Sequence, residues 1–178
     1  MQCGSKSTTR DRVLCRLNLA PAGLARESQI EYLPEVCRTR EGDERDECIK
    51  YYKNFKGCWV KTGEERFDCA REQLELKDEI PAMRAACEAK GGDQAADCSK
   101  ELREHVYWLI LFRMYNLEQR AEDMATSKGI DLSLVADLDV AVIDAKVAFL
   151  NADSHEARRA VILGLRDTWT AFMKKINE

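Results

Sequence analysis

Three stretches of this chain open and close on cysteine at one spacing: CRTREGDERDEC (37–48), CWVKTGEERFDC (58–69) and CEAKGGDQAADC (87–98). Counted from the opening cysteine, a basic residue stands three positions on (Arg40, Lys61, Lys90) and glycine five on (Gly42, Gly63, Gly92). An acid stands six on (Asp43, Glu64, Asp93), and a second acid precedes the closing cysteine (Glu47, Asp68, Asp97). The columns have a mechanical meaning. Glycine just past a helix supplies the left-handed residue that closes it, and a basic residue in the last turn suits the helix dipole. An acid immediately afterwards can cap the next helix. In the second frame the better cap is Thr62, with Glu65 completing a capping box. Each frame therefore reads as two antiparallel helical arms joined by a short turn, with the cysteines facing each other near the tip.

This geometry predicts the bridges Cys37–Cys48, Cys58–Cys69 and Cys87–Cys98. The stretch CGSKSTTRDRVLC (3–15) is one residue longer and has no glycine at the fifth position. Thr8 and Asp11 can still start a helix that runs through Leu19, so a fourth bridge, Cys3–Cys15, is expected. Eight cysteines allow 105 pairings, and the choice of local ones rests on the recurring frame.

The cysteine count, eight in 178 residues and all at or before Cys98, favours a disulfide framework in an oxidising compartment. MQCGSKSTTRDR carries no apolar stretch of the kind a signal peptide needs. The expected localisation is extracytoplasmic (secreted, periplasmic or cell-surface), with a leader removed ahead of Met1 or import by a route that needs none. Zinc sites usually bring ligands in close pairs such as C-x2-C, which are absent here, and iron–sulfur and haem spacings are absent too. The sequence points to no metal ligand, no cofactor and no catalytic residue.

One further spacing resembles a known family. CIKYYKNFKGC (48–58) has nine residues between its cysteines, and paired cysteines on helical hairpins are similar to the twin-CX9C proteins of the mitochondrial intermembrane space. That resemblance implies two continuous helices joined by two bridges. Glycine near the middle of each twelve-residue frame, and Pro34 ahead of Cys37, depart from it.

Elsewhere the pattern is helical. Charged residues make up 34% of the chain, and with 3 Pro and 9 Gly few positions break a helix. Short helices are expected at 34–40 (Pro34 first), 43–56, 63–77 and from Pro81 to Lys90. Asp93 then opens one helix to Lys128, stopped by Gly129, about 54 Å long at the usual rise. Leu102, Val106, Leu109 and Phe112 lie on one side of it; Ile110, Met114, Leu117, Ala121 and Met124 lie on another. A helix apolar on two faces packs on two sides. Residues 133–151 place Val135, Leu138, Val142, Ala145 and Phe149 at helical spacing. Ser154 caps a last helix carrying Val161, Leu165, Trp169, Phe172 and Ile176. The expected fold is all-α: disulfide-braced hairpins, a long central helix (about 93–128) and an antiparallel three-helix bundle. The expected division is 1–98, cysteine-rich, and 99–178, cysteine-free and sharing the long helix.

Residues that could carry chemistry are few. Glu104, His105 and Tyr107 are close in sequence, but neighbouring helix residues point in different directions. His155 and Glu156 suit a solvated first turn. Asp137, Asp139 and Asp144 lack the ordered loop of a calcium site and read as a solvated helix face. Tyr51, Tyr52, Phe55 and Trp59 cluster beside the cysteines. Core packing against a disulfide is the first reading for them, and a protein-partner surface the second. A net charge of −4 without a basic cluster argues against nucleic acid, and no apolar run reaches membrane-spanning length. The expectation is a non-enzymatic binding or scaffold protein. The alternatives are a small enzyme or thiol-redox protein with a pocket between the long helix and the hairpins, or a twin-cysteine protein of the intermembrane space.

Overall fold

A computed structural model describes residues 2–19, 35–58, 60–61 and 63–178. Pro34, Trp59 and Thr62, each given a role above, lie outside the described residues. The fold is all-α. Among the described residues there are eight α-helices: α1 (Thr9–Leu19), α2 (Glu35–Arg38), α3 (Gly42–Asn54), α4 (Gly63–Gln73), α5 (Ile80–Glu88), α6 (Gly92–Lys128), α7 (Leu132–Asn151) and α8 (His155–Lys175). Short 3-10 turns cover Gln2–Ser5 and Lys56–Cys58.

The helix boundaries follow local chemistry. Thr8 Oγ1 accepts from the Asp11 N–H at 3.0 Å and starts α1. Asp131 accepts from the Ser133 N–H at 2.8 Å at the head of α7, and Ser154 from the Ala157 N–H at 3.1 Å at the head of α8. Gly129, at φ 67°, ends α6. Gly42, Gly63 and Gly92, at φ 54°, 54° and 51°, are all left-handed, as their place in the frame requires. The helices count from those glycines, so Asp43, Glu64 and Asp93 fall in the first turn instead of capping it. There they face the positive end of the dipole. Most boundaries fall within two residues of expectation, and one differs by about a turn. α4 was expected to reach residue 77 and stops at Gln73, because Glu75 turns left-handed (φ 56°) and the Leu76 N–H reaches back to the Arg71 carbonyl at 2.8 Å.

The four bridges are Cys3–Cys15, Cys37–Cys48, Cys58–Cys69 and Cys87–Cys98, with Cα–Cα separations of 5.4–5.7 Å. Each ties a helical arm to the next helix. In two frames the first arm is only a 3-10 turn: Cys3 and Cys58 sit in the short turns and Cys37 and Cys87 in α2 and α5. The nine-residue spacing from Cys48 to Cys58 does not form one helix, since α3 ends at Asn54, and each of these cysteines is bridged within its own frame. The bridging implied by the twin-CX9C resemblance is not the one formed.

The chain divides into two compact units, and the division does not fall at 98/99. One unit is Tyr51–Arg113. The other joins residues 1–50 to Met114–Glu178. The reason is long-range packing that local pattern does not encode: α1 and α2 lie against α7, so the first two bridges belong with the C-terminal helices. α7 and α8 pack along each other, with Val135, Leu138, Val142, Phe149, Leu165 and Phe172 buried. The expected bundle of α6, α7 and α8 thus receives α1 as a further helix.

Candidate functional site

Three arrangements concentrate the polar and aromatic chemistry of the chain. The first is the turn inside each cysteine frame. In all four frames the N–H three residues after the opening cysteine donates to that cysteine's carbonyl: Lys6 to Cys3 (3.2 Å), Arg40 to Cys37 (3.3 Å), Lys61 to Cys58 (3.2 Å) and Lys90 to Cys87 (3.1 Å). In three frames an arginine three residues before the closing cysteine reaches back across the turn. Arg12 Nη1 donates to the Lys6 carbonyl at 2.9 Å, Arg45 Nε to that of Arg40 at 2.8 Å, and Arg66 Nε to that of Lys61 at 2.9 Å. Residues three apart share a helix face, so an arginine placed there points toward the opposite arm just as the closing cysteine does. The fourth frame has Ala95 at this position. Alignment from the opening cysteine hides the column in the first frame, which is one residue longer; counting back from the closing cysteine reveals it.

The second arrangement is the aromatic core of the Tyr51–Arg113 unit. Tyr51 stacks on Trp108 with ring centroids 4.1 Å apart, and Tyr52 meets the same indole edge-on at 6.5 Å. Phe55 and Phe67 both pack on Phe112, at 4.8 and 5.9 Å, and the Arg113 guanidinium lies 5.3 Å from the Phe67 ring. Tyr52 and Phe55 are buried and Tyr51 is half-buried. These three members of the aromatic group are occupied inside the unit, which corrects the reading of Tyr52 and Phe55 as partner surface. Tyr51 and Tyr52 in the last turn of α3, and Phe55 just beyond it, meet Trp108 and Phe112 of α6, and that contact takes Tyr52 and Phe55 out of solvent.

The third arrangement was not anticipated. Between α1, α6 and α7 lies a buried cluster of charge. Lys146 Nζ is 2.7 Å from Glu118 Oε1 and 4.5 Å from the centroid of the Tyr115 ring. Arg16 Nη2 lies 3.2 Å from Glu122 Oε1 and 3.5 Å from Asp139 Oδ2. Gln119 Nε2 donates to Glu122 Oε2 at 3.5 Å. Asp139 and Gln119 are fully buried, and Glu118, Glu122 and Lys146 nearly so. Asp139 Oδ1, Gln119 Oε1 and Arg16 Nε have no hydrogen-bond partner among the described residues. Burial pushes the Asp139 carboxyl well above the usual carboxylate range, with the like charges of Glu122 and Glu118 adding, against the pull of Arg16 and Lys146. Burial likewise raises Glu118, against the pull of Lys146. Arg16 is held above its ordinary value because Glu122 and Asp139 outweigh its own desolvation.

Asp139 therefore corrects the reading of 137–144 as a solvated face. Asp137 is exposed, bonded at 2.6 Å to Arg10, which also reaches the Ser133 hydroxyl at 2.6 Å; Asp144 is exposed. A signal for the difference was present. Asp139 and Lys146 are seven residues apart on one face of α7, interleaved with Val142 and Ile143.

His105 is half-buried on α6, and His155 is exposed as the first residue of α8. A surface hollow along α1 is lined by Lys6, Asp11, Leu14, Cys15, Asn18 and Leu19, and includes neither histidine. Every cysteine is bridged, so there is no free thiol. Among the described residues no cluster of His, Cys, Asp and Glu is arranged to hold a metal ion, and no helix is long and apolar enough to cross a membrane.

Fold and clusters together define a class: an all-α protein braced by four intramolecular disulfides, a covalent pattern suited to an oxidising environment. Comparison with protein-family models, curated proteins and solved structures finds no match to this chain.

Proposed function

We propose that the protein acts outside the cytoplasm as a non-enzymatic binding or scaffold module for a protein partner. The observation that carries this reading is how the cysteine frames use their polar residues. The cysteine pair, the N–H three residues on, and the reaching arginine where present are all engaged in building the turn. The four frames are copies of one brace, and a brace repeated four times serves persistence of shape in an environment without chaperones or reducing thiols. The acidic balance of the chain, −4 overall, suits a protein partner better than a polyanion.

The test has two arms. Thiols are trapped by acid quenching and alkylation in cells that make the protein, followed by intact mass. The expected result is no alkylated cysteine without reductant and eight with it; eight alkylated cysteines in the native sample would move the protein to a reducing compartment and sink the localisation. Crosslinking on intact cells is then expected to join this chain to another protein. Turnover of a small molecule that disappears in the His105→Ala variant would instead place the protein among enzymes.

A further inference from the structure

The four braces are not equivalent. In the second and third frames both cysteines are buried: Cys37 and Cys58 are 0% exposed, Cys48 1% and Cys69 9%. In the first and fourth frames the closing cysteine, Cys15 or Cys98, is half-buried. The first frame is secured in other ways. Its helix α1 packs on α7, Arg12 bonds to both the Lys6 carbonyl and Glu35, and Arg10 bonds to Asp137.

The fourth frame has no such support. Ala95 stands where the other three carry the reaching arginine. Cys87 is the buried residue of α5, whereas Pro81, Ala82, Arg84, Ala85, Ala86 and Glu88 are exposed. Among the described residues no side chain of α5 makes a hydrogen bond or an ion pair, and Glu79 heads the helix without a side-chain cap. The arm has a definite start and a loose end. Ahead of it, Arg71 Nη2 holds the Asp78 carbonyl at 2.8 Å. Behind it, Gly91 and Gly92 are both left-handed, at φ 74° and 51°, where the second and third frames have one such glycine each. Two adjacent glycines give this turn more backbone freedom than the other turns have.

We propose that Cys87–Cys98 is a site of thiol–disulfide exchange, opened by a dithiol ahead of the other three bridges, and that its opening releases α5 from α6. Exchange is governed by access to the sulfur that is attacked, and local opening is easiest where few contacts hold a segment. Both conditions meet at this bridge. Cys98 is the more accessible partner, since Cys87 is 4% exposed. The attacking thiolate forms a bond to Cys98 Sγ as the Cys87–Cys98 bond breaks, and Cys87 leaves as a thiolate that takes a proton from water. The second thiol of the reductant, as its thiolate, then attacks the reductant's own sulfur in the mixed disulfide. Cys98 leaves and is protonated in turn. The protein gains two electrons and two protons, and the dithiol becomes a cyclic disulfide. Ile80, Met83 and Cys87 share one side of α5, and the opened bridge no longer fixes that side. Without a dithiol all four bridges stay closed, as the binding module proposed above requires.

The experiment is graded reduction of the intact, oxidised chain with dithiothreitol under native conditions, followed by acid quenching, alkylation and peptide mapping. Cys87 and Cys98 are expected to be the first pair alkylated, roughly tenfold faster than any other. In that two-thiol species trypsin is expected to cut after Arg84, a bond it spares in the oxidised protein. Opening of Cys3–Cys15 first would show that exposure of the closing cysteine alone sets the order, and would overturn the proposal. So would first opening of a buried bridge, or all four opening together. Equal cleavage after Arg84 in the oxidised and two-thiol species would overturn the release of α5. Ala95→Arg, which supplies the missing turn contact, is expected to slow the opening of Cys87–Cys98 by about two- to fivefold and leave the other bridges unchanged. An unchanged rate in that variant would also overturn the proposal.

Discussion

Arg66 Nε donates to the carbonyl of Lys61 at 2.9 Å, across the turn that the Cys58–Cys69 bridge closes. Arg45 repeats the contact with Arg40, and Arg12 with Lys6, so a side chain supplements the disulfide at one geometric position in three frames. The carbonyl concerned belongs to a loop residue with no helix partner, and a buried Arg66 fills that need.

Removing this contact is expected to cost stability. Arg66→Ala leaves the Lys61 carbonyl without its donor, a loss of about 1–3 kcal/mol for a charge-assisted bond. The converse is a gain: Ala95→Arg supplies the missing arginine in the fourth frame and is expected to add about 0.5–1 kcal/mol. Urea unfolding of the oxidised protein measures both.

Two backbone positions give opposite predictions. Gly63→Ala places a β-carbon on a left-handed residue whose surroundings are open, so its cost is conformational alone, about 1–2 kcal/mol. Glu75→Gly relieves the same strain where a side chain already bears it and is expected to stabilise by about 1 kcal/mol. Thermal melts of the single variants check the pair.

Phe112 receives both Phe55 and Phe67 and is 1% exposed. Phe112→Ala is expected to destabilise by about 3–5 kcal/mol. Near-ultraviolet circular dichroism should show the neighbouring aromatic signal collapse as well. A surface role for this group would instead leave stability within a few tenths of a kcal/mol.

Lys146→Met removes the cation that Glu118 faces at 2.7 Å and leaves a buried carboxylate unpaired, at a cost of about 3–5 kcal/mol near neutral pH. Glu118 is already raised by burial, and without Lys146 it rises further. The variant is therefore expected to recover stability as pH falls and Glu118 takes up a proton. Unfolding midpoints at acidic and neutral pH distinguish this from a plain cavity effect, which would not depend on pH.

The hairpins were legible because their determinants are local. A twelve-residue frame contains the cysteines, the glycine that must turn left-handed and the acid that meets the new dipole, and the long α6 and its Gly129 stop follow from uninterrupted helical spacing. The cap at Thr8 and the cap at Ser154 are likewise written within three residues. The arginine column was equally local but hidden by the extra residue in the first frame. Core packing is the first reading of Tyr52 and Phe55 and a partner surface the second; exposed and buried aromatic stripes have the same sequence, and only the arrival of Trp108 and Phe112 on the facing helix decides between them.

The sequence by itself determined the covalent frame and the order of the helices, because disulfide geometry, left-handed glycine and helix capping act over about a dozen residues. Only the tertiary structure decided that α1 packs on α7, and hence that Arg16, Glu122 and Asp139 share one closed space. Whether a carboxylate on an amphipathic helix is solvated or buried depends on what covers that face, and here the cover comes from residues more than a hundred positions away in the chain.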